Sequence, residues 1–92
     1  MGDKVANRLR GEAWITFLEL QTFGLGITER DFRGGGKGRR TDNPWEVSQD
    51  HKTALADYLA ANGLNARGRI WAQEFPDRDG FRLTQYDDDL PA

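Results

Sequence analysis

Between Val47 and Leu59 the apolar residues recur at spacings of three and four. Val47, Ala54, Leu55, Tyr58 and Leu59, with His51, lay one stripe along a helix. Asn43-Pro44-Trp45-Glu46 supplies a start signal: an N-cap side chain, a proline whose φ is preset for the first turn, and a glutamate able to reach back to the cap. Asn62-Gly63-Leu64 supplies the stop, with Gly63 suited to the left-handed position and Leu64 folding back on the last turn. The pattern predicts a helix over residues 44–62, with a break and a restart capped at Ser48 as the alternative.

Residues 69–75 and 81–86 are rich in aromatic and β-branched residues and flank Pro76-Asp77-Arg78-Asp79-Gly80, which predicts a hairpin. Symmetric closure of the loop would set Phe75 opposite Phe81, Gln73 opposite Leu83 and Trp71 opposite Gln85. Trp71, Phe75, Phe81 and Leu83 would then form the face that covers the helix, and Glu74 would lie beside Arg82 on the solvated side.

The segment from Ala13 to Phe23 satisfies two periods at once. Trp14, Ile15, Thr16 and Phe17 favour a strand, whereas Val5, Leu9, Ala13, Phe17 and Leu20 follow a helical spacing that Gly24 would end. Taken as a strand, it turns at Gly24-Leu25-Gly26 into a second strand over residues 27–32. The expected architecture is then α+β in the order ββαββ, a single helix on an antiparallel sheet. The helical reading gives αβαββ or ααββ instead.

The length of 92 residues fits a single domain spanning 1–92, with frayed ends near 1–10 and 88–92. A chain of this size buries roughly 60 to 65% of its unfolded surface, which points to a net stability of about 5 to 8 kcal/mol. Absence of cysteine excludes a disulfide scaffold, a thiolate nucleophile and a zinc knuckle. One histidine excludes a two-histidine metal site, and any Ser/His/Asp arrangement could use only His51. His51 itself reads as a packing residue on the helix stripe. No apolar run is long enough to span a membrane and no signal-peptide pattern opens the chain, so a cytoplasmic location without membrane contact is expected.

Net charge is −2, and its distribution is bipolar. Arg30, Arg33, Lys37, Arg39 and Arg40 gather around a glycine-rich loop over residues 33–42, with Asp31 as the opposing charge within residues 30–40. Glycine lets backbone amides approach an anion and the cations neutralise it, so a phosphate, a nucleic-acid backbone or an acidic protein surface suits the loop. The spacing is not that of a P-loop, and the G-x-x-G at Gly35-Gly36-Lys37-Gly38 lacks the flanking helices of a KH domain. Asp77 and Asp79, with Asp87, Asp88 and Asp89, form a secondary acidic patch. Asp77-Arg78-Asp79-Gly80 lacks the first carboxylate and the bidentate glutamate of a calcium loop, and reads as a turn with Gly80 at positive φ. Trp45, directly after the basic loop, either staples the helix start or stands exposed as a binding contact.

No acid/base pair, nucleophile or metal constellation emerges, and no cofactor is expected. The expectation is a non-enzymatic binding protein, an inhibitor or adaptor occupying a surface on a larger protein or nucleoprotein assembly. By size and composition alone it resembles the phage and mobile-element proteins that block host defence complexes such as CRISPR effectors. The alternative is a nucleic-acid-binding module acting through Arg30, Arg33, Lys37, Arg39 and Arg40. The acidic balance weighs against it.

Overall fold

A computed structural model describes residues 8–23, 32, 44–75 and 77–91. In chain order these residues form β1 (Leu9–Ile15), α1 (Phe17–Phe23), β2 (Trp45–Glu46), α2 (Gln49–Ala54), α3 (Ala56–Ala61), β3 (Trp71–Glu74) and β4 (Phe81–Tyr86), followed by a 3₁₀ turn over Asp87–Asp89. The four strands make one antiparallel sheet in the order β1-β4-β3-β2. The expected class, α+β, holds; among the described residues the order is βαβααββ, with three helices rather than the single one of the expected ββαββ.

The two periodicities near the N-terminus both find expression. Ala13 and Ile15 point into the core from β1, so the strand signal is real as far as Ile15. At Thr16 the chain changes period, and a reciprocal cap explains why. Glu19 Oε1 accepts from the Thr16 backbone N–H at 3.0 Å, and Thr16 Oγ1 accepts from the Glu19 N–H at 3.1 Å. Thr16-Phe17-Leu18-Glu19 is thus a capping box. Asp79 Oδ1 takes a further orphan donor, the Phe17 N–H, at 3.3 Å. Of the expected second strand, residues 27–31 lie outside the described residues. Phe32 has helical backbone geometry and is buried.

The expected helix over 44–62 is corrected at its start, where the alternative of a helix capped at Ser48 holds. Trp45 and Glu46 pair with Ala72 and Trp71, and the Val47 N–H donates to the Ile70 carbonyl at 2.8 Å, so the sheet claims this backbone before a helix can. Ser48, extended at φ −67° and ψ 159°, then caps α2 by accepting from the His51 N–H. Leu55 separates α2 from α3 at φ −100° and ψ 10°, yet bonds from Leu55 to His51 and from Leu59 to Leu55 carry the helical ladder across it. The stop is the one expected. Gly63 has φ +79°, the Leu64 N–H donates to the Leu59 carbonyl and that of Gly63 to Ala60, which is a Schellman ending with Leu64 buried.

The hairpin exists, one residue out of the expected register: Glu74 faces Phe81, Gln73 faces Arg82, Ala72 faces Leu83 and Trp71 faces Thr84. A one-residue shift exchanges the two faces of a strand. Ile70 and Ala72, rather than Trp71 and Phe75, therefore line the core beside Phe81 and Leu83. Arg82 bonds Gln73 and Glu12 in place of the expected Glu74. Gly80 fixes this closure. Its φ is +106°, and a Cβ there would collide with the Ile15 carbonyl and with Thr16 Cα.

The core lies between the sheet's inner face and the helices, with Ile15, Leu20, Phe32, Leu55, Leu59, Ile70, Phe81 and Leu83 all but sealed from solvent. Phe81 is its hub, in ring contact with Phe17, Phe32 and Trp45 at centroid separations of 4.9 to 5.7 Å.

Candidate recognition face

With the inner face committed to the helices, the alternate positions of each strand point the other way. Glu12 and Trp14 on β1, Arg82, Thr84 and Tyr86 on β4, and Trp71 and Gln73 on β3 make up this outer face, and Glu46 extends it onto β2. No helix among the described residues covers it. Phe75, Arg78 and Arg69, from the segments bounding β3, fold over its margins.

The face is built of aromatic rings and guanidinium groups in contact. Arg78 Cζ lies 3.9 Å from the centroid of Trp14, Trp14 stacks on Phe75 at 5.8 Å with 30° between the rings, and Arg82 Cζ lies 5.4 Å from the Phe75 centroid. At the other end Arg69 Cζ sits 5.0 Å over Trp71. Such contacts hold flat cations against flat rings and leave the aromatic residues half-buried. Both indole N–H groups on this face are fixed from outside the strands: that of Trp14 donates to the Asp79 carbonyl at 2.6 Å, that of Trp71 to Asp89 Oδ2 at 3.1 Å.

Two grooves cross the face. The larger, about 380 Å³, is lined by Trp71, Thr84 and Tyr86 together with the cations Arg69 and Arg82 and the acids Asp88 and Asp89. The smaller, about 210 Å³, is lined by Glu12, Trp14, Phe75, Arg78 and Arg82. Arg82 borders both. Its Nη2 donates to Gln73 Oε1 at 3.0 Å and its Nη1 lies 3.7 Å from Glu12 Oε2, while Nε is buried with no hydrogen-bond partner among the described residues.

Arg30, Arg33, Lys37, Arg39 and Arg40 lie outside the described residues, as does most of their glycine loop. Trp45 corrects the exposed-contact reading. It is 7% accessible, packs on Phe32 and Phe81, and donates its indole N–H to the Phe32 carbonyl at 2.9 Å. Its neighbour Glu46, on the outer face, pairs with Arg69 at 3.4 Å.

The acidic residues do not form one patch, because β4 separates them. Asp77 and Asp79 are exposed in the β3–β4 loop at one end, and Asp79 is engaged with Trp14 and Phe17. At the other end Asp87 pairs with Arg10 at 3.1 Å. Asp89, 7% accessible, is a structural residue. It accepts from the Tyr86 N–H at 2.8 Å and from Trp71, and its carbonyl accepts from the Arg69 N–H at 2.9 Å. Gln85 completes this end by bonding the backbone of Asn65 through both ends of its amide and the Arg69 carbonyl through its nitrogen. Lys52, buried, donates to the Gly68 carbonyl at 2.5 Å.

His51 sits half-buried with its ring 5.5 Å from that of Phe32. Among the described residues no group of histidine, aspartate or glutamate is arranged to hold a metal ion, and no helix is long and apolar enough to cross a membrane. The aromatic-guanidinium face was missed in the sequence because the assumed hairpin register turned Trp71 and Phe75 inward. The one legible signal was Ala72, a small residue between two large ones, which suits close packing under a helix better than either neighbour. No protein-family model matches this chain, and no curated protein or solved structure is significantly similar to it.

Proposed function

We propose that this chain is a non-catalytic binding protein, an inhibitor or adaptor that occupies a surface on a larger protein or nucleoprotein assembly through the outer face of its sheet. The observation that carries the reading is the arrangement of Trp14, Phe75 and Trp71 on a face that no described helix covers, each with a guanidinium against its ring. Tryptophan, tyrosine and arginine dominate the energetics of protein interfaces because they combine large contact area with few lost rotamers and directed hydrogen bonds. Holding the rings and cations against each other before a partner arrives lowers the ordering cost of association.

The test is site-specific photo-crosslinking in cells of the source organism. A benzoylphenylalanine replacing Gln73, at the middle of the face, is expected to give a discrete adduct. One replacing the exposed Gln49 on α2 is expected to give none. Adducts from Gln49 alone, or from neither position, would refute the assignment of the face.

A further inference from the structure

Resting on the reading of the outer face as an interface, we infer that the groove between Arg78 and Arg82 receives a single carboxylate side chain, aspartate or glutamate, presented by a protein partner. Arg78 is exposed, its Cζ lies over the Trp14 ring 3.9 Å from the centroid, and it has no carboxylate paired with it among the described residues. A guanidinium held by its face leaves its edge, with its fork of donors, available for a carboxylate. Arg82 brings a second positive charge to the same groove, offset only in part by Glu12 at 3.7 Å.

Volume and charge distinguish this occupant from others. At about 210 Å³ the groove is smaller than the ~300 Å³ at which small-molecule pockets begin, and it suits one amino-acid side chain. Trp14 and Phe75 already spend their faces on each other and on Arg78 and Arg82, so a nucleobase would have to displace those contacts to stack. Glu12 on the groove wall and Asp77 and Asp79 beside Arg78 in the loop would repel a polyphosphate backbone, whereas an isolated carboxylate meets two cations first.

The experiment follows the arginine Nε–H signals of the ¹⁵N-labelled full chain during titration with N-acetyl-glutamate N-methylamide at constant ionic strength. The neutral glutamine analogue, inorganic phosphate and an oligothymidylate serve as the other arms. Saturable shifts at Arg78 and Arg82 with the glutamate compound are expected, with none from the glutamine compound. Affinity should fall about tenfold in Arg78→Gln, and Arg78→Lys should recover only part of it, because an ammonium keeps the charge without the fork.

Absence of these shifts, equal shifts with the glutamine compound, or tighter binding of phosphate or oligothymidylate would overturn the inference. The two readings fail separately. Crosslinking from Gln73 without the arginine shifts would remove the carboxylate site and leave the face, whereas the shifts without crosslinking would remove the interface and leave the carboxylate site.

Discussion

At the scale of single residues, the side chains that look functional in the sequence and those that hold the structure exchange places. Trp45 is a core residue. Trp45→Ala should cost about 3 to 5 kcal/mol, a large part of the ~5 to 8 kcal/mol expected of a domain of this size, so urea denaturation should show a much lowered midpoint. Asp89 belongs to the same class: replacing it with alanine strands the Tyr86 N–H and the Trp71 indole, and a loss of about 1.5 to 3 kcal/mol is expected in the same measurement. Tyr58 carries a pH dependence. Burial, and secondarily the negative charge of Glu19, raise its pKa above the ordinary 10.0, and its hydroxyl donates to the Trp14 carbonyl at 2.6 Å. A raised phenol pKa means that the folded state holds the proton more tightly than the unfolded one. The associated stability is complete below the ordinary value and is lost as pH climbs through the folded one. Denaturation curves above pH 10 should therefore show falling stability, with a shallower fall in Tyr58→Phe.

At the scale of elements, what was legible depended on whether the deciding interaction was local. The Schellman ending at Gly63 and the positive φ of Gly80 were readable because a glycine and its immediate neighbours determine them. The capping box at Thr16 was equally local, but it lay inside a stretch whose strand character runs up to the preceding residue, and the two signals together mean a change of element. The start of α2 was not local. Asn43-Pro44 is a sound cap by sequence, yet the pairing of Trp45 and Glu46 with β3 moves the helix start to Ser48. Two substitutions measure these caps: Thr16→Ala and Ser48→Ala should each cost about 1 kcal/mol, visible as a lowered Tm, and their effects should add because they terminate different helices. The register of the hairpin was lost for a related reason. Loop length alone does not fix it when Gly80 must fit against Ile15 and Thr16 of another strand.

At the scale of the whole molecule, the sheet sorts the chain into a face packed against the helices and a face that no described helix covers. Cations clustered in sequence, as in the basic loop, are easier to see than cations assembled by a sheet, and that loop lies outside the described residues. Arg69, Arg78 and Arg82 are ordinary in the linear chain and become a group only when β3 and β4 pair and β1 brings Trp14 alongside. Arg78→Gln should accordingly leave the urea midpoint nearly unchanged, within about 0.5 kcal/mol, because it removes an exposed group, whereas Phe81→Ala should cost about 3 to 5 kcal/mol and abolish the face along with the core.

The pairing of β1 with β4 carries one more implication. Of the described strands, β4 is bonded on both sides, to β3 close in sequence and to β1 about seventy positions upstream. During synthesis Leu9–Ile15 therefore waits, its apolar side unprotected, until Phe81–Tyr86 is free to pair with it. This long-range closure is the slow step in assembling the sheet.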